Sequence, residues 1–118
     1  MSDSDPARIF GYLAEQLDRR GIGYLHAVDP AADGAKRLSP LLRKTFDGTY
    51  IVNGGFDLAA ASAAIASGQA DLVAFGVPFL ANPDLPARLK QGAALNKPDQ
   101  ATFYMGEDKG FTDYPVLP

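Results

Sequence analysis

Apolar residues in the first twenty positions recur at helical spacing. Ile9, Phe10, Leu13 and Leu17 fall on one stripe, Asp5-Pro6 opens the segment as a cap and first turn, and Gly21 ends it. The pattern then changes period. Ile22 to Val28 is short, largely apolar and closed by Asp29-Pro30, as expected of a strand buried on both faces. Ala31 to Ser39 reads as a loop, and Pro40 to Phe46 as a short helix ending at Asp47-Gly48. Thr49 to Asn53 is a second strand, and Asp57 caps an alanine-rich helix from Leu58 to Ser67. Asp71 to Gly76 is a third strand, and Asn82-Pro83-Asp84-Leu85-Pro86 leads into a last helix that Gly92 stops.

Strands alternating with helices are the signature of parallel βαβ units, which bind ligands beyond the carboxyl ends of their strands. Three such strands leave two sheet edges of unpaired amides and carbonyls, which something must cover. Residues 93–118 are rich in Gly, Pro and Asp and are expected to form a mostly irregular tail. At 118 residues the chain has the length of one domain, so residues 1–118 are read as a single unit.

Composition narrows the function classes. Hydrophobic residues are 47% and charged residues 21% of the chain, as in folded globular proteins. A net charge of −3, with no cluster of Lys and Arg, argues against a nucleic-acid partner. The absence of cysteine excludes disulfides and thiolate metal sites, and no metal ligands are assigned. MSDSDPAR lacks the basic and apolar regions of a signal peptide, and no apolar run is long enough to span a bilayer. A cytoplasmic protein without membrane contact is the expectation.

Tyr50-Ile-Val-Asn-Gly-Gly-Phe-Asp57 ends a strand in two glycines before a helix cap, which suits either an anion held by backbone amides or an ordinary tight turn. Neighbouring strings favour the first. Tyr24-Leu-His26, Asn53-Gly-Gly-Phe-Asp57, Ala74-Phe-Gly-Val-Pro-Phe-Leu-Ala-Asn-Pro-Asp-Leu-Pro86, Arg88-Leu89, Ala101-Thr-Phe-Tyr104 and Gly110-Phe-Thr-Asp-Tyr-Pro115 occur in this order. Through them nearly the whole chain resembles the C-terminal third of the Old Yellow Enzyme family, and Ser2 to Pro6 looks like internal family sequence.

The resemblance implies an FMN-carrying TIM barrel that uses NADH or NADPH to reduce activated carbon–carbon double bonds in enones, maleimides and nitro-compounds. The present strands would be the sixth, seventh and eighth of that barrel. It also implies a cofactor-binding set of Asn53, Gly54, Gly55, Phe75, Gly76, Val77, Phe103 and Tyr104. The first six would lie at the phosphate, and the aromatic pair at the flavin's dimethylbenzene edge. One position departs from the family: the arginine that normally follows the glycine of Ala-Phe-Gly is here Val77, which retains only a backbone amide.

A complete barrel takes about 250 residues, and the substrate-orienting His/His or His/Asn pair and the proton-donating tyrosine of the family have no counterpart here. No residue is therefore assigned a catalytic role. His26 is expected to be a packed strand histidine, Arg88 and Lys90 solvated, Arg43-Lys44 a cationic helix end, and Asp113-Tyr114-Pro115 a structural anchor. Two readings follow. Either the chain is a C-terminal portion of an FMN-dependent ene-reductase, inactive alone and completed by an N-terminal chain, or it is a non-catalytic half-barrel that self-associates or weakly holds a phosphate-bearing ligand. An independent small nucleotide-binding domain is a third, weaker reading.

Overall fold

The computed structural model describes residues 5–29, 37–105 and 107–118, so most of the loop expected over residues 31–39, and Ser2 to Ser4, lie outside the described residues. The chain forms two compact units, Met1–Ala74 and Phe75–Pro118.

In the first unit the elements are α1 (Pro6–Arg19), β1 (Tyr24–Val28), α2 (Ser39–Thr45), β2 (Thr49–Asn53), α3 (Leu58–Ala66) and β3 (Leu72–Val73). The three strands are parallel in the order β1-β2-β3. The third is shorter than the expected Asp71 to Gly76, because ladder pairing stops after Val52↔Val73 and the chain turns away. Asp5 and Asp57 cap their helices as their positions suggest, accepting hydrogen bonds from the Arg8 amide (3.1 Å) and the Ala60 amide (2.7 Å).

The main buried cluster of this unit lies on one side of the sheet. Ala14 of α1, Leu42 and Phe46 of the α2 region, and Tyr50, Val52 and Ala70 are buried together, with Leu25, Ala27 and Val73 packed against them. Register puts Tyr24, His26 and Val28 on the opposite face, beside Thr49, Ile51 and Asn53, with Leu72 next to Ile51. That face is uncovered: Val28 is 72%, Tyr24 61% and Leu72 51% exposed. The strand at Tyr24–Val28 is thus partly buried on one face and exposed on the other, contrary to the burial on both faces expected from its apolar sequence. Ile9, Phe10 and Leu13 of α1 are likewise left partly exposed.

Arg43 ties the amino ends of the strands. Its guanidinium donates to the Gly48 carbonyl (3.2 Å), more weakly to the Gly68 carbonyl (3.4 Å), and to the Asp71 carboxylate (3.3 Å), while Asp71 also accepts from the Tyr50 amide (2.8 Å). This cation does more than complement a helix end: it joins the turns that precede β2 and β3.

The second unit contains α4 (Val77–Ala81), α5 (Leu85–Gln91) and a 3-10 turn at Gln100–Thr102. No helix is expected over α4 from the sequence. Arg88 is not solvated but 5% exposed. Its guanidinium donates to Asp84 Oδ1 (2.7 Å), the Ala94 carbonyl (2.7 Å) and the Pro115 carbonyl (2.8 Å). Asn96 Nδ2 donates to the same Pro115 carbonyl (2.8 Å), and buried Asn82 accepts from the Asn96 amide (2.7 Å). Tyr114 Oη accepts from the Asp99 amide (2.8 Å) and Asp113 Oδ1 from the Gly110 amide (2.7 Å). Gly110 has a φ of +81°, and a Cβ there would overlap the Thr102 hydroxyl.

Asp84 Oδ2 accepts from the Leu117 amide (2.7 Å), so this carboxylate anchors the C-terminal residues. The Arg88 hydrogen bond, then that of Leu117, lowers its pKa below the ordinary value. A lowered folded pKa means that the contribution is full above the unfolded carboxylate value of about 3.9 and fades as pH falls from there through the folded value. Hydrogen exchange at Leu117 should therefore be flat from neutrality to about pH 5 and accelerate below about pH 4 relative to its intrinsic rate. Asp84→Asn should remove that acid dependence.

Candidate functional site

The carboxyl ends of β1 and β2 carry the turn that the sequence singles out. The Asp29 amide donates to the Asn53 carbonyl (2.8 Å) and extends the ladder one residue past β1. Asn53 lies on the same, uncovered face as Val28. Gly54 follows with φ 147° and Gly55 with φ 72°, conformations that a side chain would strain. Gly54 is buried, whereas Gly55 is exposed with open space where a Cβ would stand.

The amides of Gly54, Gly55 and Phe56 find no hydrogen-bond partner among the described residues. Three successive N–H groups without an acceptor among the described residues, one of them on a buried residue, are the usual makings of an anion-binding concavity. Beside them Asp29 accepts from the Ser39 amide (2.7 Å) and hydroxyl (2.6 Å). It thus supplies the cap of α2, for which Leu38, in the N-cap position, has no side-chain acceptor. The Tyr50 hydroxyl donates to Ser39 Oγ (3.0 Å), and burial raises its pKa above the usual phenol value, the Ser39 bond opposing and the Asp29 charge reinforcing the shift.

Phe75, Gly76 and Val77 belong to the second unit. Gly76 is the N-cap residue of α4 and its carbonyl accepts from the Phe79 and Leu80 amides (both 3.0 Å), with no side-chain cap. Val77 opens the helix, 44% exposed. Phe103 ends the 3-10 turn half-buried, and Tyr104 is 96% exposed.

Residues 3–96 match the NADH:flavin oxidoreductase / NADH oxidase family. The chain belongs to this family. Among curated relatives, 12-oxophytodienoate reductase 1 of Oryza sativa subsp. japonica is 43% identical over 123 residues, which cover 98% of this chain and 32% of the relative. Among solved structures, a morphinone reductase superposes with a TM-score of 0.87 at 45% identity, covering 98% of this chain and 32% of that one. The old yellow enzyme of Trypanosoma cruzi superposes with a TM-score of 0.91 at 31% identity, covering 100% and 32%. The chain spans about a third of the length of these relatives, and its three parallel strands with flanking helices are part of an Old Yellow Enzyme-type TIM barrel.

The Asn53–Phe56 turn has features that fit an anion such as a phosphate: backbone donors without partners among the described residues, room at Gly55, and no carboxylate among the four residues of the turn. His26 is not the packed histidine expected from the sequence. It is exposed on the uncovered sheet face, and no described residue hydrogen-bonds its ring. One residue at the turn escaped sequence reading. Arg37 donates to the Gly54 carbonyl (3.0 Å) and the Asp29 carbonyl (3.2 Å), and its guanidinium lies 4.9 Å from the centre of the Phe56 ring. Its acceptors stand eight and seventeen positions upstream or downstream, so no local pattern announces it.

Proposed function

We propose that this chain works as the C-terminal portion of an FMN-dependent ene-reductase, holding the cofactor's phosphate while an N-terminal complement supplies the remaining strands. The carrying observation is that the amides of Gly54, Gly55 and Phe56 have no acceptor among the described residues, at the carboxyl end of a parallel strand in a flavin oxidoreductase family member. Asn53 is proposed as a neighbouring contact, and Phe75, Gly76, Val77, Phe103 and Tyr104 as further FMN contacts on the family resemblance. Bound FMN supplies the hydride carrier between NADH or NADPH and an enone-type alkene. A morphinone reductase at 45% identity was solved with tetrahydroNAD, which supports a nicotinamide reductant.

This chain's part is binding and orientation. Gly54 and Gly55 let the backbone approach a phosphate closely, and the field of aligned amides favours its negative charge. Turnover further needs the hydride donor, acceptor and proton source held in register, and no residue here is assigned to orient a substrate or protonate it. The chain alone is expected to be inactive.

The uncovered face bearing Tyr24, Val28 and Leu72 favours a second reading, a non-catalytic half-barrel that pairs with its own copies. Co-expression with the N-terminal two-thirds of the rice reductase separates the two. The first reading expects a yellow hetero-complex with flavin's visible absorbance and NAD(P)H-dependent reduction of an enone. Colourless protein in that pairing, with homo-oligomers by solution mass, would reject it in favour of the second.

A further inference from the structure

We infer that Arg37 is a positioning residue for the anion turn: it holds the Gly54–Gly55 peptide plane in the orientation that presents the Gly55 amide. The inference rests on the phosphate-binding role proposed for that turn. Arg37 Nη2 donates to the Gly54 carbonyl at 3.0 Å and Nη1 to the Asp29 carbonyl at 3.2 Å, so one rigid guanidinium bridges the residues that follow β1 and β2. The Phe56 ring, 4.9 Å from the guanidinium carbon, limits how the fork can turn.

The orientation of the amide follows from peptide geometry. No cis peptide bond is present among the described residues, and in a planar trans peptide the C=O and the next N–H point in opposite directions. Fixing the Gly54 carbonyl on Arg37 therefore aims the Gly55 N–H away from the guanidinium. Gly55 is exposed, a Cβ built there meets nothing within 4 Å, and its amide has no acceptor among the described residues. Two glycines in succession have wide conformational freedom and would otherwise sample other peptide orientations. Arg37 removes that freedom before an anion arrives, so less ordering cost falls on binding. Asp29 fixes the other anchor, since its carboxylate is itself held by Ser39 at 2.7 and 2.6 Å.

The test is a titration of the isotope-labelled chain with inorganic phosphate, following the amide resonances of Gly54, Gly55 and Phe56 in wild type, Arg37→Ala and Arg37→Lys. In the wild type the three amides should shift and saturate together. In both variants the apparent Kd should rise about tenfold or more. Before any phosphate is added, the Gly54 carbonyl resonance should already have moved while those of Tyr50 and Val52 stay in place, which reports a lost local bond in an intact fold. Equal affinity in wild type and Arg37→Ala overturns the positioning role and leaves the phosphate site standing. Full recovery by Arg37→Lys overturns it in favour of simple charge attraction. A wild type whose three amides ignore phosphate overturns the site itself, and this inference with it.

Discussion

Replacing Arg88 with alanine is expected to free residues 93–118 from α5, with hydrogen exchange at Ala94, Asn96 and Leu117 accelerating by roughly two decades. The guanidinium is nearly inaccessible, and two of its three partners are carbonyls of this irregular segment, at Ala94 and Pro115. Hydrogen bonds to charged groups are worth about 1.5–3 kcal/mol each, so losing these two costs about 3 kcal/mol or more. A unit as small as Phe75–Pro118, at roughly 0.05–0.15 kcal/mol per residue, has only a few kcal/mol to lose. Arg88→Lys keeps the charge but has no planar fork to span three acceptors, and should recover little of the protection. Unchanged exchange in Arg88→Ala would show that Asn96 and Tyr114 hold the segment without it.

Val77→Arg is expected to tighten FMN binding by about 10- to 100-fold in the complemented enzyme, read from quenching of flavin fluorescence on titration. The resemblance places an arginine at this position, where a charge-assisted contact to phosphate is worth about 1.5–3 kcal/mol. Val77 is the first residue of α4 and 44% exposed, so a longer side chain can enter without disturbing packed neighbours. Thermal stability of the free chain should stay within about 0.5 kcal/mol. An unchanged FMN affinity would mean that position 77 does not face the phosphate and that the family correspondence fails there.

The elements legible in the sequence are those specified by neighbours in the chain. Asp5 and Asp57 cap helices whose amides lie three residues on, and Gly92 ends α5 in the left-handed conformation that glycine favours. What eluded reading depends on distant partners. Arg88 looks like an ordinary surface cation of a helix until Pro115, 27 residues later, returns to it. Arg37 sits in a loop whose composition signals only a turn, and its acceptor at Gly54 is 17 residues away. The helix α4 hides inside Val77-Pro78-Phe79-Leu80-Ala81, a run without a polar face from which to read a period. Apolar residues in β1 suggest burial on both faces, which is right for a closed barrel and wrong for three strands by themselves. In the candidate site the glycines were legible because their conformation is local, whereas the arginine that orients them was not.

The one-sided core bears on the order of assembly. Ala14, Leu42, Phe46, Tyr50 and Val52 are buried together on one sheet face without help from the opposite surface. Under the proposed complementation, union with the remaining strands is expected to be the docking of a pre-formed core rather than its creation. Its heat-capacity change should match the apolar area sealed at the seam and not the larger amount that accompanies coupled folding.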